Sequence, residues 1–584
     1  MRTFVDDYRY NLLGQYDCMK VVIVGGVAGG ASAAARLRRL DESAEIIMIE
    51  RTGYVSYANC GLPYYVGDTI TDKKKLTLQT PGSFASRFNV DARVNSEVTS
   101  IDRGSKTVRV RDLVSGEEYD EAYDCLILSP GAKPLIPDMP GVDDRRVMTL
   151  RTVEDTFRMK DFVDENSPRT AVVCGGGYIG LEVADNLHAL GIDVTIVQRP
   201  DHVLPQLDSE MAADVHHHIR SKGVHLRLSD AVVGFDTSDG LKVSLRSGES
   251  LDADMAVIAL GVVPDTDLAK AAGLELGVKG TIVVDGHMRT SDPSIYAVGD
   301  AIQVRNLITG APANIALAGP ANKQGRIAAD NIAGMDSVYR GSMGSSVLRV
   351  FDMTVGATGL TEKQAIDAGY DVDKVYTFSA SHASYYPGAK NMSIKILFEK
   401  GSGKILGAQI VGYDGVDKRT DVFAVAIRAG MTVEDLAELE LSYAPPYSSA
   451  KDPVNYAGFV AMNLMSGMVK QFHWNELDSK IADPGVTVVD LRTAAEYADQ
   501  HLDGPLHIPV DELRSRLSEI PKDRPVCIFC HSGLRSYIGL RILAQNGYDC
   551  SHMAGGFRFY SSVVRDRSIG SPDDYPCGIR TGTT

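Results

Sequence analysis

Residues 20–40, KVVIVGGVAGGASAAARLRRL, decide the fold of this chain. An apolar strand over 20–26 runs into a glycine-rich turn and then into a helix predicted from about Ala28 to Leu40. A second apolar strand, 44–51, follows the helix and completes a β–α–β unit. The free N–H groups at the start of such a helix favour a pyrophosphate, so the stretch predicts a dinucleotide-binding domain.

The glycine turn of this unit departs from a strict GxGxxG pattern, because Val27 stands where the middle glycine is expected. The context supports a flavin site, since Glu50 lies about 20 residues beyond Gly30, where an acid accepts a ribose hydroxyl. Segments 123–134 and 290–300 are predicted to return to the sheet as buried strands, the second carrying a residue for the ribityl or phosphate end of a flavin. The predicted flavin contacts are Gly25, Val27, Ala28, Gly29, Gly30, Glu50, Arg51, Gly131, Gly299 and Asp300.

A second β–α–β unit repeats the pattern in the strand and turn RTAVVCGGGYIG, residues 169–180. Its turn is a full GxGxxG match, and the strand after its helix, 193–199, ends in Gln198 and Arg199 rather than in an acid. A carboxylate there would favour the free ribose of NADH, whereas Arg199 can pair with a 2′-phosphate, so the prediction leans towards NADPH and keeps NADH open. The predicted nicotinamide cofactor contacts are Gly175, Gly177, Tyr178, Ile179, Gly180, Gln198 and Arg199.

The chain has 584 residues, too many for a single hydrophobic core. Beyond about Val347, alternating strands and then helices through 419–439 predict an α+β domain, and after a linker near 467–474 a short α/β unit follows. The predicted boundaries are 1–18 for an N-terminal extension, 19–145 with 280–340 for a discontinuous FAD-binding domain, 146–279 for an NAD(P)H-binding domain, 345–466 for the α+β domain, 474–565 for the α/β unit and 566–584 for a poorly ordered tail.

Composition and charge exclude several classes of protein. The net charge of −16 argues against nucleic acid or an anionic membrane as the main partner. Eight cysteines without the spacing of a disulfide scaffold, and the lack of a long apolar run, predict a cytoplasmic protein that does not span a membrane. Adjacent helical residues at 216–218, all histidine, point about 100° apart and chelate poorly, so no metal site is predicted.

Two cysteines carry the expected chemistry. Cys60, in SYANCGLPYY, follows the flavin unit and has no second cysteine nearby, so it is expected to act alone as a mixed disulfide, a persulfide or a sulfenic acid. Cys530 opens the loop CHSGLRS at the end of an apolar strand, where successive N–H groups can stabilise a thiolate or persulfide anion. Arg535 is expected to add a fixed positive charge to that loop.

The motifs GGVAGG, SYANCG, SHASYYPGAK, DKR (417–419) and YAPPYSSAKDPVN make residues 20 to about 465 resemble the coenzyme A-disulfide reductase branch of the flavin disulfide reductases. The C-terminal unit resembles a rhodanese domain. The whole chain is therefore similar to the coenzyme A-disulfide reductase–rhodanese fusions, also described as NAD(P)H-dependent persulfide or polysulfide reductases. The resemblance implies an α/β protein with two Rossmann-like domains, an α+β dimerisation domain and a C-terminal rhodanese domain.

In that family the lone cysteine forms a mixed disulfide with coenzyme A, which implies the same role for Cys60. The resemblance also implies a homodimer, because tyrosines from the dimerisation domain of the partner subunit donate protons near the sulfur. The matching positions are Tyr385, with Tyr386 beside it, and Tyr443, with Tyr447 near it, and the choice within each pair stays open. The implied coenzyme A contacts are Ser32, Arg36, Arg39, Ser56, Asn59, Asn322 and Lys451.

The predicted enzyme uses NAD(P)H to reduce FAD, and the flavin then reduces a sulfur bond at Cys60. Its expected substrates are coenzyme A disulfide, coenzyme A persulfide or polysulfide, with hydrogen sulfide released from persulfides and Cys530 handling sulfane sulfur. One alternative is an NADH oxidase or peroxidase of the same fold that cycles through sulfenic acid. The other is a persulfide sensor or sulfur-relay protein.

Overall fold

The structure, a computed structural model, describes residues 18–568, which form two compact units. The first unit comprises residues 18–197 and 231–344, and the second comprises 198–230 and 345–568. The predicted N-terminal extension and tail therefore lie almost wholly outside the described residues.

The regular elements of residues 18–568 follow in chain order. The strands are β1 (Lys20–Val24), β2 (Glu45–Ile49), β3 (Asp91–Arg93), β4 (Ser96–Asp102), β5 (Thr107–Asp112), β6 (Glu118–Ala122), β7 (Cys125–Leu128), β8 (Ala132–Pro134), β9 (Val147–Met148), β10 (Thr170–Cys174), β11 (Asp193–Gln198), β12 (His225–Leu228), β13 (Val232–Asp236), β14 (Leu241–Leu245), β15 (Ser250–Ala253), β16 (Met255–Ile258), β17 (Val262–Pro264), β18 (Ile295–Ala297), β19 (Val304–Arg305), β20 (Pro312–Ala313), β21 (Ser346–Val350), β22 (Met353–Gly359), β23 (Val372–Ala380), β24 (Asn391–Glu399), β25 (Ile405–Gly412), β26 (Gln471–Phe472), β27 (Thr487–Asp490), β28 (Leu506–His507), β29 (Val526–Phe529) and β30 (Cys550–Met553). The α-helices are α1 (Ala28–Leu40), α2 (Leu62–Val66), α3 (Pro81–Phe88), α4 (Val153–Asn166), α5 (Tyr178–Ala189), α6 (Ser209–Ser221), α7 (Asp267–Ala271), α8 (Ala318–Ile332), α9 (Glu362–Asp367), α10 (Val416–Ala429), α11 (Val433–Glu438), α12 (Pro453–Met465), α13 (Leu477–Ala482), α14 (Ala494–Asp499), α15 (Leu534–Gln545) and α16 (Gly556–Ser568). Short 3-10 helices lie at Asn59–Gly61, Lys73–Lys75, Val278–Gly280, Gly299–Ala301, Trp474–Glu476, Leu513–Ser515 and Leu517–Glu519.

The first unit contains two parallel sheets of the dinucleotide-binding type. One has the strand order β18-β7-β1-β2-β3, and Val21, Val22 and Ile23 of its central strand β1 are fully buried, as a parallel sheet covered on both faces requires. In the other, β10 pairs in parallel with β11 and β16, and β16 pairs with β9. Both predicted β–α–β units are thus present. The antiparallel sheets β4-β5-β6 and β13-β14-β15 complete the two domains.

The second unit contains an antiparallel sheet and a parallel sheet. The antiparallel sheet has the order β21-β22-β25-β24-β23, and α10 packs closely on it at Gly356, where an added Cβ would lie 2.0 Å from the Thr420 hydroxyl. The parallel sheet has the order β26-β30-β29-β27-β28. In its strand β29, Val526 and Ile528 join one apolar core and Cys527 and Phe529 another, because successive side chains point to opposite faces.

Helix α6 is unusual because its polar side chains are buried and paired. Asp214 bonds Arg558 at 3.0 Å, and Glu210 bonds the fully buried ammonium of Lys395 at 2.6 Å. Lys395 also contacts carboxylates of Asp208 and Glu362, at 2.7 and 2.8 Å, so an ammonium already lies among these three acids. The three adjacent histidines each contact a protein partner: His216 contacts Asp566, His217 contacts the Ser562 carbonyl and His218 contacts Asp352.

Two predicted boundaries differ from the structure. The predicted linker 467–474 contains β26, which pairs with β30 and so belongs to the C-terminal parallel sheet. The predicted tail begins inside α16, where Asp566 forms an ion pair with Arg220. A two-residue edge strand and three helical residues are both too short to leave a periodic signal. Among the described residues, no helix combines the length and apolarity needed to cross a membrane.

Candidate active sites

The first glycine turn is closed by contacts that exclude a side chain. Gly25 has a φ of +97°, and a Cβ there would lie 2.1 Å from the Ser129 carbonyl oxygen. A Cβ on Gly30 would lie 1.9 Å from the carbonyl oxygen of Gly25. Val27 precedes α1 without a side-chain cap, and the Gly30 N–H donates to Ser129 Oγ at 3.1 Å. Among the described residues, this leaves the N–H groups of Ala28 and Gly29 to a ligand. The turn therefore fits a pyrophosphate in spite of its missing middle glycine.

Glu50, the predicted ribose ligand, is fixed at the end of β2. Its carboxylate is buried and accepts hydrogen bonds from the Gly26 N–H at 2.8 Å and from the N–H and hydroxyl of Thr52, both at 2.9 Å. These bonds hold the carboxylate beside the glycine turn. Each carboxylate oxygen can accept more than one hydrogen bond, so a ribose hydroxyl can still be accommodated.

In the second glycine turn, the backbone again leaves no room for a side chain at the first and last glycines, whereas the middle glycine faces open space. Gly175 has a φ of +115°, and a Cβ on Gly180 would lie 2.0 Å from the Gly175 carbonyl oxygen. At Gly177, by contrast, an added Cβ would meet no described atom within 4 Å. Open space at the middle glycine, at the start of α5, is what close approach of a dinucleotide requires. Tyr178 and Ile179 open that helix, and their contact with the nicotinamide cofactor stays a prediction.

The two residues proposed to read the nicotinamide ribose have different surroundings. Gln198 is buried, and its amide donates to the His202 carbonyl at 3.1 Å. Arg199 is exposed and makes no ion pair within the described part of the chain. Of the two, Arg199 is therefore the residue available to a phosphate.

The remaining predicted flavin residues form a polar group that the sequence only partly revealed. Asp300 is held by the Arg151 guanidinium at 3.0 Å, and the Gly299 N–H donates to Gln324 Oε1 at 2.8 Å. Arg51 pairs with Asp265, whose N–H bonds the Gly131 carbonyl at 3.0 Å. Neither Arg151 nor Gln324 belongs to a motif, so sequence reasoning missed both.

Cys60 lies in the short 3-10 helix Asn59–Gly61, immediately before α2. Its thiol is solvent-accessible, yet partial desolvation and then the negative charge of Glu182 raise its pKa above the ordinary value. Ser56, in the same loop, has a φ of +47°, and its N–H bonds the Gly26 carbonyl at 2.7 Å. A serine in the left-handed region is strained, and such strain is concentrated at functional sites. Asn59 Oδ1 is buried without a hydrogen-bond partner among the described residues, so it can accept one from a ligand.

Glu182 is a titratable group near the thiol that the sequence did not single out. Burial raises its pKa to about 7, against the hydrogen bond donated by the Tyr64 hydroxyl at 3.2 Å. The only sequence signal is position, because Glu182 follows Gly180 by two residues on the helix of the second glycine turn. A carboxyl group titrating near neutral pH beside a redox thiol is a candidate functional group.

A cavity of about 370 Å³ brings together five of the seven predicted coenzyme A residues. They are Ser32, Arg36, Arg39, Ser56 and Asn322. The cavity lies where α1 and α8 approach closely, since a Cβ on Gly325 would lie 2.2 Å from the Gly29 carbonyl oxygen. Sequence reasoning missed Arg326 and Gln79, which also line it.

The positive charge of this cavity is distributed differently from the prediction. Arg36 pairs with the buried Asp330 at 2.6 Å, so its charge is already compensated. Arg39 and Arg326 are exposed and form no ion pair with any described residue. Ser32 and Asn322 are hydrogen-bonded at 2.6 Å. Of the predicted contacts Arg36 and Arg39, Arg39 is therefore the one whose charge is free for an anionic ligand, and Arg326 is a second such cation among the described residues.

In the second unit, a hydrogen bond distinguishes the tyrosines within each predicted pair. The hydroxyls of Tyr385 and Tyr443 lie 2.9 Å apart, although the two side chains are 74% and 46% exposed. Tyr386 instead packs its ring against His382, and Tyr447 is exposed. The geometry therefore favours Tyr385 and Tyr443 within their pairs. Lys451 is exposed, and its contact with coenzyme A stays a prediction.

Cys530 is fully enclosed at the start of its loop. The Gly533 N–H donates to its sulfur at 3.1 Å, and Ser536 Oγ lies 3.5 Å away. Ser536 also contacts Nδ1 of the buried His552 at 3.2 Å. The Cys530 thiol donates to Ser536 Oγ, whose own proton goes to the Gly533 carbonyl at 2.9 Å, so the Gly533 N–H is the donor that faces the sulfur here. Such a donor is suited to hold a thiolate or persulfide anion, and the Ser536 hydroxyl would have to rotate to join it.

Arg535 brings a positive charge to the loop, as expected, but this charge is paired within the domain. Its guanidinium forms a bidentate pair with Glu496, at 2.6 and 2.7 Å, and this pair lowers the pKa of Glu496 to about 2. The pair joins α14 to the start of α15 and so braces the Cys530 loop. The sequence did not reveal this pairing, because Glu496 lies 39 positions earlier in the chain.

Comparisons with known proteins agree with these sites. Residues 19–325 match the pyridine nucleotide-disulphide oxidoreductase family, 346–453 match its dimerisation domain and 473–562 match the rhodanese-like domain. Because the first match spans more than half of the chain, the protein belongs to the pyridine nucleotide-disulphide oxidoreductase family. Members of this family use FAD and NAD(P)H, which agrees with the two glycine turns. The predicted fold class is confirmed.

Within this family, the chain is similar to three proteins with named activities or domain compositions. The chain is 34% identical over 446 residues to the coenzyme A disulfide reductase of Staphylococcus haemolyticus (strain JCSC1435), covering 76% of this chain and 100% of that protein. The structure of reduced Bacillus anthracis CoADR-RHD is 49% identical with a TM-score of 0.92, covering 94% of this chain and 99% of that one. An NAD-dependent persulfide reductase from A. fulgidus is 38% identical with a TM-score of 0.87, covering 93% and 100%.

Proposed function

We propose that this chain is an FAD-dependent NAD(P)H oxidoreductase that reduces coenzyme A disulfide, coenzyme A persulfide or polysulfide through Cys60. The observation that carries the proposal is the basic cavity beside the Cys60 loop. Ser56 lines this cavity and belongs to the same loop as the thiol, while Arg39 and Arg326 provide uncompensated positive charge. A ligand with phosphates at one end and a sulfur at the other fits this arrangement.

The overall reactions balance with one nicotinamide for each sulfur bond. Coenzyme A disulfide, NAD(P)H and a proton give two coenzyme A thiols and NAD(P)⁺. Coenzyme A persulfide, NAD(P)H and a proton give one coenzyme A thiol, hydrogen sulfide and NAD(P)⁺. Bound FAD supplies the two-electron link between the nicotinamide and the sulfur. The residues of the chain bind the substrate, form the mixed disulfide and deliver the proton.

Cys60 attacks the substrate as a thiolate and becomes one half of a mixed disulfide. Its pKa is raised, so the fraction of thiolate depends on the charges around it, among which Glu182 is foremost. The leaving thiolate needs a proton, and the hydrogen-bonded phenols of Tyr385 and Tyr443 are suited to donate it. In this proposal these phenols complete the Cys60 site of the partner subunit, so the working enzyme is a homodimer in the cytoplasm.

The rhodanese domain accepts or delivers sulfane sulfur on Cys530. The enclosed sulfur accepts the Gly533 N–H, and the Ser536 hydroxyl lies beside it, so the loop can hold a persulfide anion without a neighbouring free cation. Arg535 takes part by bracing the loop through Glu496.

Nicotinamide preference is proposed to depend on Arg199. Its exposed, unpaired guanidinium at the end of β11 can pair with a 2′-phosphate, which favours NADPH. Comparison of kcat/KM for NADPH and NADH in the wild type and in Arg199→Ala tests this, and an unchanged ratio would refute it.

Two cysteine variants test the function directly. The wild type as purified should carry FAD and, by intact-protein mass spectrometry, a coenzyme A adduct that maps to Cys60 and is absent from Cys60→Ser. Cys60→Ser should lose NAD(P)H oxidation with coenzyme A disulfide, whereas Cys530→Ser should retain it. Full turnover of Cys60→Ser with this substrate would overturn the proposal.

A further inference from the structure

Both tyrosine-bearing loops of the second unit are attached to one buried arginine. The first loop, 381–390, carries Tyr385, and the second, 443–452, carries Tyr443. Between them in sequence, on α10, lies Arg419, which is 1% exposed. Arg419 belongs to the DKR motif, for which the sequence suggested no role.

The guanidinium of Arg419 bonds both loops at once. Its Nη2 donates to the Ser381 carbonyl at 3.0 Å in the first loop. In the second loop it donates to Asp452 Oδ2 at 2.9 Å and to the Ser448 hydroxyl at 3.1 Å. Nη1 donates to the Gly415 carbonyl at 3.2 Å. A planar guanidinium with donors in fixed directions sets the geometry of such a junction in a way that a lysine ammonium cannot.

The acceptors of Arg419 are themselves fixed. Ser448 is fully buried, and its hydroxyl donates to Asp452 Oδ2 at 2.6 Å. The Ser448 carbonyl accepts the Ala383 N–H at 3.0 Å, which joins the second loop directly to the first. Asp452 is 3% exposed and compensates the arginine charge, so neither charge is left unpaired in the interior. The junction is therefore a closed network of buried bonds.

The tyrosines project from this junction into solvent. Tyr385 is four residues from Ser381 and Tyr443 is five residues from Ser448, so each phenol lies close in sequence to its anchor. Side chains that are 74% and 46% exposed have little packing to hold them. The 2.9 Å separation of their hydroxyls must then come from the backbones of the two loops, and these meet at Arg419.

We propose that Arg419, together with Asp452 and Ser448, is a positioning device that sets the distance between the Tyr385 and Tyr443 phenols and so determines proton delivery to the leaving sulfur. The inference rests on the proposed function, in which these phenols act. In the step concerned, one phenol gives its proton to the departing coenzyme A thiolate. The other phenol donates a hydrogen bond to the phenolate that remains, until solvent returns the proton.

The hydrogen bond that the Tyr385 hydroxyl donates to Tyr443 raises the pKa of Tyr385, which keeps its phenol protonated for this step. Loss of the correct separation would weaken that hydrogen bond. The expected signature of a disturbed junction is a lower kcat for sulfur substrates together with a changed alkaline limb of the pH profile.

The test uses Ser448→Ala, since substitution of Arg419 itself can prevent folding. The change removes one hydroxyl from the junction and leaves the Arg419–Asp452 ion pair. Ser449→Ala is the matched control, because its hydroxyl bonds only the Lys451 carbonyl in the same loop. Both changes are made in the wild type and in a Tyr385→Phe/Tyr443→Phe background, and kcat with coenzyme A disulfide is measured over pH for the FAD-loaded enzyme.

Ser448→Ala should lower kcat roughly 10-fold in the wild type, a part of the 10²–10⁴ that a positioned acid contributes. In the double-Phe background it should change kcat less than about twofold, because no phenol remains to be positioned. Equal losses in the two backgrounds would show a purely structural residue and overturn the proposal. Full turnover of the double-Phe variant itself would refute the role of the phenols, and the positioning proposal with it.

Discussion

Replacing Glu182 by glutamine should change how the stability of the enzyme depends on pH. Burial raises the pKa of Glu182 to about 7 from an ordinary value of 4.5. The Tyr64 hydrogen bond opposes this rise, and the negative charge of Asp185 adds to the rise. Between these two pH values the folded protein holds the proton that the unfolded chain releases. The stabilisation from this proton is therefore complete below pH 4.5 and is lost as the pH rises through 7.

The size of the effect follows from the two pKa values. The difference between about 7 and 4.5 corresponds to about 3 kcal/mol at any pH well above 7. Glutamine resembles the protonated acid in shape and carries no charge, so Glu182→Gln should avoid this loss. At pH 5 the variant and the wild type should have similar stability. At pH 8 the variant should be more stable, by roughly 5 °C in apparent Tm for a unit of this size.

Thermal unfolding of the FAD-loaded enzyme at the two pH values measures the difference. Glu117→Gln, a change at an exposed glutamate of the first unit, is the control and should shift Tm equally at both. Tyr64→Phe removes the bond that lowers the Glu182 pKa, so it should steepen the loss of stability with pH. If Glu182→Gln and the wild type keep the same Tm difference at pH 5 and pH 8, the burial argument is refuted.

Three further changes follow from the geometry. Gly180→Val places a side chain where even a Cβ would lie 2.0 Å from a carbonyl oxygen. Oxidation of the nicotinamide should therefore be lost while the FAD absorbance of the purified protein stays. Loss of FAD as well would contradict this prediction. Arg326→Gln should raise KM for coenzyme A disulfide by about 10- to 100-fold, which is the change expected for loss of a charge-assisted hydrogen bond, with little change in kcat. An unchanged KM would contradict the assignment of the cavity as the coenzyme A site. Lys395→Met leaves three carboxylates around an apolar group, so it should destabilise the second unit by about 3–5 kcal/mol, as measured by denaturant titration. The control Lys363→Met, at an exposed lysine, should have almost no effect.

The sequence predicts those parts of the molecule that depend on local pattern. The strand at 20–26 and its glycine turn are confirmed, although β1 ends at Val24 because Gly25 already adopts a left-handed conformation. The resemblance also located Ser32 and Arg39 of α1 and Asn322 of α8, which line one cavity of the structure.

What the sequence missed depends on residues far apart in the chain. The burial of α6 involves Lys395 and Arg558, which lie 185 and 344 positions from their partners in that helix. A sequence with acids and three adjacent histidines predicts a solvent-exposed helix, and only pairing with distant residues makes its burial possible. The raised pKa of Glu182 is missed for the same reason, since burial is a property of the packed structure.

In the proposed function, the two thiols use different physical means to stabilise an anion. Arg535 lies near Cys530, but Glu496 already compensates its charge. Stabilisation there comes from the fixed dipole of the Gly533 N–H, which neither titrates nor exchanges with salt. Cys60 is exposed, its pKa is raised, and its substrate depends on the free charges of Arg39 and Arg326. Cys530 is therefore suited to store a charged sulfur for long periods, and Cys60 to react only when a phosphate-bearing ligand brings the sulfur to it.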